Sequence, residues 1–120
     1  MGMISRYVDR LAARLQGRRP GPPGVFADAE GLRVGSQAIA WREIRRVEAF
    51  KRDAYVGDCL CLAILGTADR VVEITEASPG WKEAGEAIER HLPDSMPHAQ
   101  WMLRLIGSAV GQSVVVHPVA

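Results

Sequence analysis

The segment Pro20-Gly21-Pro22-Pro23-Gly24 constrains this chain more than any other. Proline offers no N–H to a helix or a sheet ladder and fixes φ, so neither a helix nor a central strand runs through these residues. The pattern differs on the two sides. Before the break, Ile4, Tyr7, Val8, Leu11 and Leu15 recur at helical spacing on a stripe of about 100°, with Arg6, Arg10 and Arg14 on its flank and back. Residues 1–19 are therefore expected to form a basic amphipathic helix, ended near Gly17, with 20–24 as a Pro/Gly linker. Charge follows the same division: Arg6, Arg10, Arg14, Arg18 and Arg19 against Asp9 put +4 on residues 1–19 and leave −3 on the rest, for a net +1.

After the break the period becomes alternating. Val25-Phe26-Ala27, Leu32 with Val34, and Ala38 to Trp41 read as short antiparallel strands, joined by turns at Asp28 to Gly31 and at Gly35-Ser36. Ile44 to Arg52 carries Val47, Ala49 and Phe50 among charges, the pattern of a strand with one wet face. Asp58 to Leu65 is apolar on both faces and reads as a central strand. Gly66-Thr67-Ala68-Asp69 then makes a hairpin loop into Arg70 to Thr75. A helix is expected from Ser78 as N-cap, with Pro79 in its first turn and Trp81, Ala84, Gly85, Ile88 and Leu92 as its buried stripe. Its outer face offers the spacing-four pairs Lys82 with Glu86 and Glu86 with Arg90. Pro93 and Pro97 interrupt the chain. His98 to Ile106 fits a helix slightly better than a strand, and Val114 to Val116 is a last strand. The expected sheet is continuous, and residues 25–120 form one α+β domain: a strongly bent antiparallel sheet or open barrel capped by an amphipathic helix, with the N-terminal helix as an extra element.

Composition narrows the function classes. At 120 residues, 48 % hydrophobic and 24 % charged, the chain suits one domain that needs no disulfide or metal staple. Fifteen basic against fourteen acidic residues exclude a large uniform basic face, and no nucleic-acid partner is expected. Cys59 and Cys61 sit two apart in an apolar run, on one side of one strand, and are poorly placed to bond to each other. The longest apolar run, Cys59 to Leu65, falls far short of the ~20 residues of a spanning helix, which points to the cytoplasm, with the inner face of the membrane as a peripheral address.

The run Ile39-Ala40-Trp41-Arg42-Glu43-Ile44-Arg45-Arg46-Val47 resembles bacterial pleckstrin-homology-like and GRAM-like domains, in which an aliphatic and an aromatic residue end one strand and an acidic-aliphatic pair starts the next. Here Ile39, Trp41, Glu43, Ile44 and Val47 take those positions. The resemblance covers about residues 25–92. It implies a curved seven-stranded sheet capped by a C-terminal helix, and a binding role toward phosphoinositide or protein. The chain departs from that pattern by running on through Trp101 and Val114 to Val116.

No residue pattern signals catalysis. Gly-rich phosphate loops, nucleophile elbows and paired-histidine motifs are missing from the sequence. Asp53 and Asp58 flank a loop as turn residues rather than an acid–base pair, and Cys59 and Cys61 with His91, His98 and His117 lack a zinc spacing, so no cofactor or metal is expected. Trp41, Trp81 and Trp101 read as core anchors. The candidate contact residues are Arg6, Arg10, Arg14, Arg18 and Arg19 on the N-terminal segment, and Arg42, Arg45, Arg46 and Arg52 with Lys51, five positive charges within eleven residues diluted by Glu43 and Glu48. The sequence thus points to a small non-catalytic binding module acting through protein contacts, as an adaptor or immunity-type protein. The alternative is a peripheral membrane module held on anionic lipid by its basic helix. A homodimer through that helix stays open.

Overall fold

Two tight turns set the first layer of the structure, a computed structural model that describes residues 22–53 and 57–119. Asp28 Oδ1 accepts from the backbone N–H groups of Glu30 (2.8 Å) and Gly31 (3.1 Å), an Asx turn that folds β1 (Val25–Ala27) back onto β2 (Gly31–Val34). Gly35, at φ 59°, turns the chain into β3 (Gln37–Ala40). The register pairs Val25 with Val34 and Leu32 with Ile39, so Val25, Leu32, Val34 and Ile39 share a buried face while Phe26 and Arg33 face water.

The expected continuous sheet is instead two antiparallel sheets that do not close into a barrel, β1-β2-β3 and β6-β5-β4-β7. Between them lies a 3-10 turn, Trp41–Glu43, within the segment that carries the family resemblance. Glu43 Oε1 accepts from Ala40 N (2.8 Å), Trp41 N donates to Glu30 O (3.1 Å) and Trp41 Nε1 to Asp28 O (2.8 Å). The satisfied backbone and indole make this a fixed corner, and a strand cannot run straight through it. Arg70 reaches back from the second sheet to Ala38 O and to Glu43 (3.8 Å), a second tie between the sheets.

The second sheet is a meander plus one distant strand. β4 (Ile44–Asp53), β5 (Asp58–Gly66) and β6 (Val71–Thr75) pair in order, and β7 (Ser113–His117) adds to the other side of β4. β5 is central, as its two-faced apolar pattern predicts. Its inner side chains, Leu62 and Ile64, join Val47, Ala49, Val72, Ile74 and Val116 in the main core. Val47 and Ala49 are buried as expected, but the expected wet face of β4 is partly covered: Glu48 and Phe50 are buried, and Phe50, Cys61 and Ala63 make a second small cluster on it, while Arg46 stays exposed.

Two helices cover the inner face. α1 (Trp81–His91) begins three residues after the expected Ser78 cap. Ser78 Oγ instead accepts from Thr75 N (3.0 Å), closing the turn that leaves β6, and Gly80 at φ 89° precedes the helix because only glycine holds that conformation at low cost beside the Val25 carbonyl. Ala84, Gly85, Ala87, Ile88 and Leu92 are buried, while Trp81 is half-buried. The ion pairs among the described residues are Arg46–Glu48, Arg52–Glu73 and Arg70–Glu43, so the pairs expected along the outer face of α1 do not form. α2 (His98–Ile106) is the helix that the sequence slightly favoured. Trp101 is its anchor, fully buried and edge-on to Trp81 at 6.1 Å. No helix among the described residues is long and apolar enough to cross a membrane. The helix expected over 1–19 lies outside the described residues.

Candidate functional site

The arginines singled out in the sequence separate once the chain is folded. Arg6, Arg10, Arg14, Arg18 and Arg19 lie outside the described residues. Arg42 and Arg45 are exposed at the corner that opens β4. Arg46 is bonded to Glu48, and Arg52 reaches across the outer face of the sheet to Glu73 Oε1 at 3.2 Å. Lys51 points the other way and donates to the carbonyls of Ile106 (2.8 Å) and Ser108 (2.6 Å). Strand alternation sends neighbours 51 and 52 to opposite faces, and two acidic partners neutralise two of the four arginines of β4 and its entry. Among the described residues these side chains do not converge on one basic patch. Asp53 and Asp58 face each other in register at the mouth of the β4–β5 hairpin, with residues 54–56 outside the described residues.

A different surface stands out at the corner where α2 meets β7. The run Trp101, Met102, Leu103, Leu105 and Ile106 is more apolar than one helix face can bury at 100° per residue. Trp101 and Leu105 enter the core, which turns Leu103 and Ile106 outward, 73 % and 57 % exposed. Val110, in the following turn, and Val119 are exposed as well. That excess of apolar residues is written in the sequence, whereas which of them stay outside is not.

Beside α2 the sheet ends in an open edge. β7 pairs only with β4 among the described strands. Val116 O accepts from Met96 N (2.7 Å) and Val119 N donates to Asp94 O (2.9 Å), so the loop before α2 covers the last part of the edge. Beside that edge lies a cleft of about 530 Å³ whose lining includes Met96, Pro97, Gln100, Arg104, Val114 and Val119. Much of that lining is apolar, and Arg104 brings a positive charge to it. Nearby, burial holds His117 below the usual histidine range against the pull of Asp94, which favours a neutral imidazole at pH 7. A second concavity of about 480 Å³ lies on the first sheet around Phe26, Leu32 and Arg33. Its Asp28 carboxylate is already engaged by two N–H groups, which hold its pKa down.

Of the tryptophans, Trp41 and Trp101 are buried, and Trp41 stacks on His91 at 4.8 Å. Among the described residues no group of three or more His, Cys, Asp or Glu is arranged to hold a metal ion. No protein-family model, no curated protein and no solved structure matches this chain.

Proposed function

We propose that this chain is a small non-catalytic binding module that works through protein contacts, and that its contact surface is the corner of α2 and β7. The observation that carries this reading is the pair Leu103 and Ile106, held outward on a well-anchored helix beside an open strand edge. Large apolar side chains left in water on a helix that packs beside an unpaired strand edge are costly and mark association surfaces. The partner of best fit is an extended protein segment that adds to the Val114 edge, sets apolar residues against Val119 and Met96, and brings a carboxylate to Arg104. An adaptor or immunity-type role belongs to the same proposal. So does kinship with pleckstrin-like domains, which the meander β4–β5–β6 followed by α1 supports.

Photo-crosslinking in cells tests the site. A benzophenone amino acid at position 103 or 115 is expected to give an adduct of discrete mass, and one at Lys82, exposed on α1, none. Adducts that do not depend on position would overturn the reading. The membrane alternative rests on arginines 6 to 19 and is separated by co-sedimentation with anionic vesicles. Salt-sensitive binding that survives Leu103→Glu with Ile106→Glu would favour it over the protein-contact reading.

A further inference from the structure

Phe26, Arg33 and Ala38 stand in register across β1, β2 and β3 on the outer face of the three-stranded sheet, and all three are exposed, Phe26 to 73 %. The concavity of about 480 Å³ on this face has an acidic end and a linker end. At the acidic end Asp28 and Glu30 occupy the β1–β2 turn and Glu43 the Trp41 corner, which the register of Gly31 with Ala40 brings alongside. Two backbone N–H groups hold Asp28 in its anionic form, and Glu30 makes no ion pair among the described residues. Of the basic residues nearby, Arg33 stands mid-face, Arg70 is already bonded to Ala38 O and Glu43, and Arg42 does not line the concavity. At the linker end Gly35 N donates to Gly24 O at 3.3 Å, and Pro23 lies beside the Gly35 turn.

We propose that residues 1–19 of the same chain dock on this face, with Arg10 and Arg14 against the carboxylates of Asp28, Glu30 and Glu43. Position 19 is three residues from Pro22, so the end of the segment is held within about 11 Å of the linker end. A helix rises about 1.5 Å per residue, which sets Arg14 and Arg10 about 7 and 13 Å back from position 19. The acidic turn begins four residues after Gly24, about 13 Å along β1. A segment that reverses at the Pro/Gly linker and lies antiparallel to β1 therefore carries these two arginines to the acidic end. Leu11 and Leu15 of its apolar stripe then fall over Phe26 and Ala38, and Arg10 and Arg14 flank that stripe.

Charge and tethering favour this occupant over a separate molecule. Residues 1–19 carry +4, and the end of the face that they reach is the one with three carboxylates. So short a tether gives the segment an effective concentration on the order of 1 mM at the face, which a second copy in dilute solution does not approach. The concavity shares no lining residue with the cleft at the α2–β7 corner, and the inference does not rest on that corner.

The full chain with a benzophenone amino acid at position 26 is irradiated as an equal mixture of isotopically light and heavy copies, and the adduct is mapped by peptide mass. An adduct into residues 1–19 of the same copy is expected, and none from position 58, at the far end of the ten-residue strand β4. Arg10→Glu with Arg14→Glu is expected to lower the yield roughly threefold or more, and Glu30→Arg alone to lower it too. All three together are expected to recover part of the loss, a rescue that a purely apolar contact would not give. Circular dichroism checks each chain for folding, and position 38 replaces position 26 if that chain does not fold. Adducts of mixed isotope mass would overturn the proposal in favour of a second copy. Folded chains that give no adduct into residues 1–19 would overturn it as well, leaving the face to a protein partner or a lipid surface, and so would a yield indifferent to the charge reversals.

Discussion

Glu73 carries the largest electrostatic cost identified among the carboxylates. Burial raises its pKa from an ordinary 4.5 to about 7, more than the Arg52 charge and hydrogen bond lower it, and the anionic form of Cys59 adds to the rise. A carboxyl whose folded pKa exceeds its unfolded one binds more protons in the folded state, so its contribution to stability falls as pH climbs from about 4.5 to about 7 and is flat above. The loss is on the order of 3 kcal/mol. Urea unfolding of the native chain, referenced at each pH to Glu73→Gln, is expected to show that fall. The reference cancels His117 and most of the Cys59 contribution, which have the opposite sign because their folded pKa values are depressed. A pH-independent difference would mean that Glu73 is ionised throughout. Nothing in the sequence marks this residue: Glu73 lies in a short alternating strand where a charge normally faces water, and only the folded sheet shows what lies opposite it.

At the scale of elements, α2 explains why its helix was only slightly favoured by the sequence. Pro97 precedes it without a side-chain cap, and both of its ends are completed by residues from elsewhere. Glu89 of α1 accepts from His98 N at 2.8 Å, and Lys51 of β4 donates to the last carbonyls, placing a negative charge at the N-terminus and a positive one at the C-terminus. Local pattern reading looks for caps within a few residues, and these lie nine and about fifty-five residues away. Glu89→Ala and Lys51→Met are each expected to cost roughly 1 kcal/mol in denaturant unfolding, and their effects are expected to add because they act at opposite ends. A loss below a few tenths of a kcal/mol for both would show that packing of Trp101 and Leu105 alone holds the helix. By contrast, β1, β2, β5 and β6 were readable to within a residue or two, because their turns and alternation are local. The shift of α1 from Ser78 to Gly80 has the same cause as the α2 ambiguity, a competing contact that closes a turn with Thr75.

At the scale of the molecule, the main core among the described residues is built from residues between Val25 and Val116. A chain lacking residues 1–19 is therefore expected to unfold cooperatively, and light scattering on both forms would show whether those residues set the oligomeric state. Loss of cooperative unfolding on truncation would mean that residues 1–19 complete the fold. The α+β class and the order of the seven strands and two helices among the described residues were legible because period and turn chemistry are written along the chain. The split into two sheets was not, since it depends on the Trp41 corner, whose partners Asp28 and Glu30 are distant in sequence. The candidate contact corner was missed for a related reason, as which apolar face of α2 stays outside is decided by β7, a strand brought in by β4.

That last pairing has a kinetic consequence. β4, β5 and β6 are neighbours along the chain and can zip as hairpins, whereas β7 meets β4 across some seventy residues, Val47 beside His117. Closing so long a loop before its contacts form is slow relative to hairpin growth. During that interval β4 presents an unpaired edge to every other nascent copy, so the yield of native protein on refolding should fall steeply with concentration, and faster for chains in which β7 is weakened.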